Sequence, residues 1–242
     1  MNIETLAEKL VSWVRDEVTA RGCRGSVIGM SGGIDSAVVA VLCKRAFPDS
    51  TLGVMMPCYS NPEDKAHALL AAKKFQIATV EVSLDAVYET IISRLPEYKG
   101  NPERKHLAQA NLKPRLRMVT LYYIANQLGY MVAGSGNRSE LTVGYFTKYG
   151  DGGVDILPLG NLVKSQVREL ARCLGIPREI IDKPPSAGLW EGQTDEAEMG
   201  LSYEALDNFI LTGKATEEVR KKVEAMNARS AHKRSLPPIP KF

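Results

Sequence analysis

Cysteine is scarce in this chain of 242 residues: Cys23, Cys43, Cys58 and Cys173 stand far apart and form no CxxC pair. That spacing argues against a disulfide framework or a thiolate metal site, and leaves reduced thiols in a cytoplasm as the default. Long apolar runs are also missing. The opening residues carry Glu4, Glu8, Lys9, Arg15, Asp16 and Glu17 where a signal core would lie, so neither a secretory leader nor a membrane span is expected. No charge of one sign dominates. With 31 basic and 28 acidic residues the formal net charge is +3, which makes no electrostatic case for nucleic acid. The common phosphate loop is absent too, because the only Gly-Lys pair, Gly213-Lys214, is followed by Ala.

What is present is an ordinary globular composition, 44% hydrophobic and 24% charged, in a length that suits a single domain over residues 1–242. Leu6, Leu10, Val11, Val14 and Val18 recur at helical spacing and give an opening amphipathic helix. Five short apolar segments follow: 26–30, 51–56, 77–82, 130–134 and 154–157. Helical segments at 37–46, 61–75, 84–95, 107–128 and 162–174 alternate with them, and two more flank Gly213. Pro114 could mark a second start inside the long one. Alternating strands and helices imply an α/β fold with a doubly wound parallel five-stranded sheet. In such folds ligands sit beyond the carboxyl ends of the strands.

The loops after those strands carry the chemistry. Ser31-Gly32-Gly33-Ile34-Asp35-Ser36 joins the first strand to its helix. Glycines let a backbone approach an anion, and N–H groups at a helix start attract negative charge. Asp35 would repel phosphate unless a Mg²⁺ lay between them. After the fourth strand comes Gly134-Ser135-Gly136-Asn137-Arg138-Ser139-Glu140, a loop in which Glu140 could join Asp35 on the metal and Ser135 could donate to a nucleotide. Then Phe146-Thr147-Lys148-Tyr149-Gly150-Asp151-Gly152-Gly153 places aromatics among glycines, suited to a flat ring, with Lys148 suited to a phosphate or carboxylate. Phe146 reads equally well as core. Asp155 could accept from ribose hydroxyls or an amine.

The first of these loops resembles the SGGxDS signature of PP-loop ATP pyrophosphatases, which cleave ATP between the α- and β-phosphates. The whole series is similar to the ammonia-dependent NAD synthetases. It runs SGGIDS, Lys113-Pro114-Arg115-Leu116-Arg117-Met118, GSGNRSE, FTKYGDGG, Pro184-Pro185-Ser186-Ala187 and His232-Lys233-Arg234. That resemblance implies a Rossmann-like fold of the adenine nucleotide alpha hydrolase type. It also implies ATP-dependent amidation of deamido-NAD with ammonia through an adenylated carboxylate. Gly29, Met30, Ser31, Gly32, Gly33, Ile34, Asp35 and Ser36 would cradle ATP, joined by Ser135, Lys164 and Ser186. Asp35 and Glu140 would hold Mg²⁺. Arg115, Lys148, Asp155, His232 and Lys233 would bind deamido-NAD. Asp35 and Asp155 are the expected catalytic residues, although water rather than Asp155 could take the proton of ammonium. The family is a cytoplasmic homodimer. With no room for a glutaminase domain, ammonia would come from solution or from a separate glutaminase. No basic extension supports a tRNA-modifying relative of the same superfamily.

Overall fold

In the computed structural model, which describes residues 2–190 and 192–241, the chain opens with α1, Ile3–Ala20. Asn2 caps it by accepting from the N–H groups of Glu4 and Thr5. Then come β1 (Ser26–Gly29), α2 (Ile34–Ala46), β2 (Thr51–Met55), α3 (Pro62–Phe75), β3 (Ala78–Glu81) and α4 (Asp85–Arg94). The long α5 (Pro102–Leu128) leads into β4 (Met131–Val132) and the short α6 (Arg138–Val143). Then follow α7 (Lys164–Leu174), α8 (Arg178–Ile181), α9 (Asp195–Met199), α10 (Tyr203–Thr212) and α11 (Glu217–Ser230). A 3-10 turn, Ala231–Lys233, ends the regular structure.

The sheet is parallel throughout, in the order β3-β2-β1-β4. Strand residues alternate between its faces. Ile28, Met55 and Met131 pack with α1, α2 and α7 on one side, whereas Val27, Val54 and Val132 pack with α5 on the other. The innermost helix is α2, with ten of its thirteen residues buried. Fully burying each of its Val and Leu side chains is worth about 1.5–3 kcal/mol. A third cluster, built on Val143, Tyr203, Leu206 and Val223, joins α6, α10 and α11.

The sheet has four strands where the sequence suggests five. The segment 154–157 forms only a single parallel bridge, Ile156 to Ala133. The reason lies in Asp155: its carboxylate, not a backbone carbonyl, accepts the Val132 N–H at 2.8 Å. The ladder cannot continue past that substitution, and Pro158 follows at once. Two further expectations change. Pro114 sits inside one continuous α5 and does not start a second helix. The segment after β4, read as a loop, turns into α6 at Arg138, so Glu140 is helical. Asn137 and Glu140 form a reciprocal capping box there, an N-x-x-E version of the usual signature.

The strand order decides where chemistry can occur. From β1 the chain winds outward through β2 and β3, then returns to place β4 on the opposite side of β1. The crevice at this reversal is bounded by the turn after β1 and the turn after β4, the usual ligand position in open α/β sheets.

Candidate active site

The turn after β1 is built around two serines. Ser31 and Ser36 hydroxyls lie 3.1 Å apart, the Ser36 hydroxyl donates to the Gly33 carbonyl at 2.9 Å, and Ser31 Oγ accepts the Gly33 N–H at 3.3 Å. Gly33 is the N-cap of α2 and brings no capping side chain. The start of the helix is thus left open to an external acceptor. Gly32 has φ +78°, and a Cβ there would lie 2.1 Å from the Asp64 carbonyl oxygen at the start of α3. Gly32→Ala should therefore displace the turn, costing about 1–3 kcal/mol in stability and abolishing measurable ATP binding. An alanine variant with normal melting temperature and ATP affinity would show that this backbone shape is not required.

Next to this turn stands a buried cluster of opposite charges. Lys164, the first residue of α7 and 2% exposed, donates to Asp35 Oδ2 at 2.5 Å and lies 3.6 Å from Glu140 Oε1. Asn137 donates from Nδ2 to Asp35 Oδ1 at 3.0 Å. The Tyr203 hydroxyl lies 3.0 Å from Asp195 Oδ2 and 3.4 Å from Glu140 Oε1. The Tyr203 ring sits 5.1 Å from Lys164 Nζ. Burial, followed by repulsion from Asp35, pushes the Glu140 carboxyl up to about 8. Burial alone would pull the Lys164 ammonium down, but Asp35 and Glu140 outweigh it and hold its pKa above the ordinary lysine value. Burial likewise raises Asp195.

The sequence-derived ATP residues thus meet in part. Gly29 to Ser36, Glu140 and Lys164 adjoin one another, and Ser135 is half-buried two residues before Asn137. Ser186 is exposed, its hydroxyl accepting the Gly188 N–H at 3.1 Å. Its segment reaches the motif turn through Lys183, which pairs with Asp64, the residue packed over Gly32. The stretch 188–195 is tied down by Lys113, whose Nζ donates to the Leu189 carbonyl at 2.8 Å. Trp190 also stands edge-on to His106 at 5.1 Å. Glu191, within that stretch, lies outside the described residues.

A second group assembles around the glycine-rich loop. Arg115 Nε donates to the Lys148 carbonyl at 3.4 Å, and Lys148 Nζ donates to the His232 carbonyl at 2.6 Å. Lys233 Nζ donates to the carbonyls of Gly144 and Phe146, at 2.7 and 2.6 Å. Phe146 packs between that ammonium, 5.3 Å from its ring, and Gly152, where a Cβ would lie 2.5 Å from ring carbon Cδ2. Arg115 and Lys233, distant in sequence, therefore converge on the loop that carries Lys148, and His232 joins them through its backbone carbonyl. Asp155 stands apart from both groups: Val132 N–H and the Tyr122 hydroxyl, at 2.8 and 2.9 Å, already occupy its oxygens.

Asn137, Tyr203 and Asp195 were not legible as site residues. The spacing of Asn137 three positions before Glu140 was a usable cap signal. A lone tyrosine on an amphipathic helix carries none. Two carboxylates on neighbouring turns are the donor type a hard divalent cation takes, with Lys164 between them and no third carboxylate, His or Cys gathered there among the described residues.

Comparison with known proteins agrees with this geometry. A family model described as NAD synthase matches residues 6–237. The NH(3)-dependent NAD(+) synthetase of Carboxydothermus hydrogenoformans is 51% identical over 240 residues, covering 99% of this chain and 98% of that protein. That of Archaeoglobus fulgidus is 44% identical over 246 residues, covering 99% and 97%. Among solved structures, the NMN synthetase from Francisella tularensis has a TM-score of 0.94 at 38% identity, covering 100% of both chains. The NH3-dependent NAD synthetase from Campylobacter jejuni has a TM-score of 0.81 at 27% identity, again over 100% of both. With a family match over almost its whole length and a relative 51% identical across 99% of it, the chain belongs to the NAD synthase family.

Proposed function

We propose that this protein is an ammonia-dependent ligase that amidates deamido-NAD to NAD at the expense of ATP, with the site residues divided as follows. The turn Gly29–Ser36 with Ser135, Lys164 and Ser186 receives ATP; Arg115, Lys148, Asp155, His232 and Lys233 receive the dinucleotide. Asp35 and Glu140 hold Mg²⁺, which when bound neutralises charge on the phosphates. The observation that carries the reading is the Asp35–Lys164–Glu140 cluster beside an uncapped helix start.

The substrate carboxylate is a poor electrophile and must be activated. Its oxygen attacks the α-phosphorus of ATP, and pyrophosphate leaves. The N–H groups of the motif turn and the Lys164 ammonium stabilise the charge gathering on that leaving group. Ammonia then attacks the adenylate carbonyl and AMP departs, leaving the amide. One proton of the attacking nitrogen goes to water, or to Asp155 once ligand binding draws it from Val132 and Tyr122. No protein nucleophile is needed, so catalysis consists of positioning and electrostatics.

The products test this. Incubation with ATP, Mg²⁺, ammonium and deamido-NAD should give NAD, AMP and pyrophosphate in equal amounts. Stoichiometric ADP and phosphate would sink the assignment. The TM-score of 0.94 to an NMN synthetase favours a second reading, amidation of the corresponding mononucleotide. A kcat/KM larger for nicotinic acid mononucleotide than for deamido-NAD would establish that alternative.

A homodimer is part of the proposal. Val119 and Tyr123, four residues apart on α5, are 59% and 65% exposed and offer an apolar stripe. Sedimentation should give about twice the 26.5 kDa chain mass; a fully active monomer would remove the stripe from that role. No helix among the described residues is long and apolar enough to cross a membrane.

A further inference from the structure

One face of α10 reaches beneath the charged cluster. Tyr203 and Asp207 lie one turn apart on it, 1% and 4% exposed. Tyr203 approaches Glu140 and Asp195 directly. Asp207 makes different contacts. Its Oδ1 accepts from the Ser139 hydroxyl at 2.6 Å, and its Oδ2 accepts from the Ser165 N–H at 2.7 Å. The Ser139 hydroxyl in turn accepts from the Lys164 N–H at 3.1 Å.

Two features of α7 and α6 give these bonds their consequence. The N-cap of α7 is Val163, which makes no side-chain cap bond, and the first turn of α7 has no acid. Yet its first residue is Lys164, a buried cation at the positive end of the helix dipole. Gln166 Oε1 accepts the Val163 N–H at 3.1 Å, and Asp207 supplies from a distant helix the acceptor for the Ser165 N–H and the negative charge that this helix start lacks. Ser139 immediately precedes Glu140 on α6. One carboxylate therefore holds two helix starts together, the one that carries Glu140 and the one that carries Lys164.

We propose that Asp207 is a positioning residue for ATP activation: through Ser139 and the Ser165 N–H it fixes α6 against α7, so that Glu140 and Lys164 face Asp35. The inference rests on the ATP-site role proposed for Lys164 and Glu140. An amide replaces this carboxylate poorly. With its oxygen toward the Ser165 N–H, Asn turns its NH2 to the Ser139 hydroxyl, which then accepts where it donated and loses its own acceptor; turned the other way, the NH2 meets the Ser165 N–H, and in both cases the negative charge is gone.

The test is ATP binding by calorimetry with Mg²⁺, in the absence of ammonium and deamido-NAD, for Asp207→Asn, Ser139→Ala, the double variant and Lys164→Ala. Deamido-NAD binding and thermal unfolding are measured beside it. Asp207→Asn and Ser139→Ala should each weaken ATP binding about tenfold or more and leave deamido-NAD affinity within about twofold. The double variant should lose less than the sum of the two single losses, because the Ser139–Asp207 bond is common to both. Equal losses for both ligands would make Asp207 a general folding residue and overturn the proposal. Unchanged ATP affinity in both single variants would overturn it too, provided Lys164→Ala weakens ATP. If Lys164→Ala itself binds ATP normally, the ATP-site reading falls instead, and the positioning claim with it.

Discussion

Asp35→Asn should lower turnover by about tenfold or more, the scale of losing one charged group aimed at a transition state. The substitution keeps the side chain's shape, so the loss would report charge. Asp35 accepts from Lys164 through Oδ2 and from Asn137 through Oδ1. An asparagine has one oxygen for these two donors and turns an NH2 toward the other. Glu140→Gln should act in the same direction. Both effects should deepen when Mg²⁺ is limiting, because a site short of carboxylate charge holds the cation less well. If both variants kept normal turnover at limiting Mg²⁺, the two carboxylates would have no metal role. Acidity should act similarly on the wild type. With Glu140 near 8, protons compete with Mg²⁺ below that pH, and the Mg²⁺ needed for half-maximal rate should climb as pH falls.

Lys164→Ala should have the largest effect on stability. Lys164 is 2% exposed and within 4 Å of two carboxylates. Removing one member of a buried charged cluster typically costs about 3–5 kcal/mol, since the remaining charges keep their burial and lose their compensation. Without the ammonium, Asp35 would face Glu140 alone and drive the Glu140 carboxyl above about 8. The sign of the pH dependence follows from that shift. A carboxyl whose folded pKa lies above its unfolded value binds more protons folded than unfolded between the two values. Stability therefore falls as pH rises across that window. In the wild type the window runs from the ordinary glutamate value of 4.5 to about 8, and in the variant it extends higher. The deficit of Lys164→Ala should thus widen as pH rises through 8, by urea titration at several pH values. A variant less than about 1 kcal/mol below wild type at all of them would show that the ammonium is not compensating buried charge.

How much of this was legible beforehand follows from the range of each interaction. The helices announced themselves because amphipathic spacing and caps are local: α3 begins at Asn61-Pro62, and α7 ends at Gly175. The motif turn was readable for the same reason, since Gly32, Gly33, Ser31 and Ser36 bond among themselves. One failure was tertiary. The segment 154–157 looks like a strand, but the side chain of Asp155 took the hydrogen bond that a fifth strand required. The other was local: residues 138–140 read as the end of a loop that opens Gly134-Ser135-Gly136, and the Asn137–Glu140 capping box starts a helix there.

Sequence alone determined the α/β alternation, the family resemblance and the identities of Asp35, Glu140 and Lys164. It could not show that Lys164 stands between the two carboxylates, separated from them by 129 and 24 positions. Nor could it bring Tyr203 and Asp207 beneath that cluster, because neither belongs to a spaced motif, or show that Asn137, whose spacing to Glu140 signals a cap, also reaches Asp35. Those meetings were decided by the strand order, which sets β4 beside β1, and by the return of α10 beneath α7. Burial then raised the stakes: charges that water would screen on a surface must here find partners, and only the folded chain supplies them.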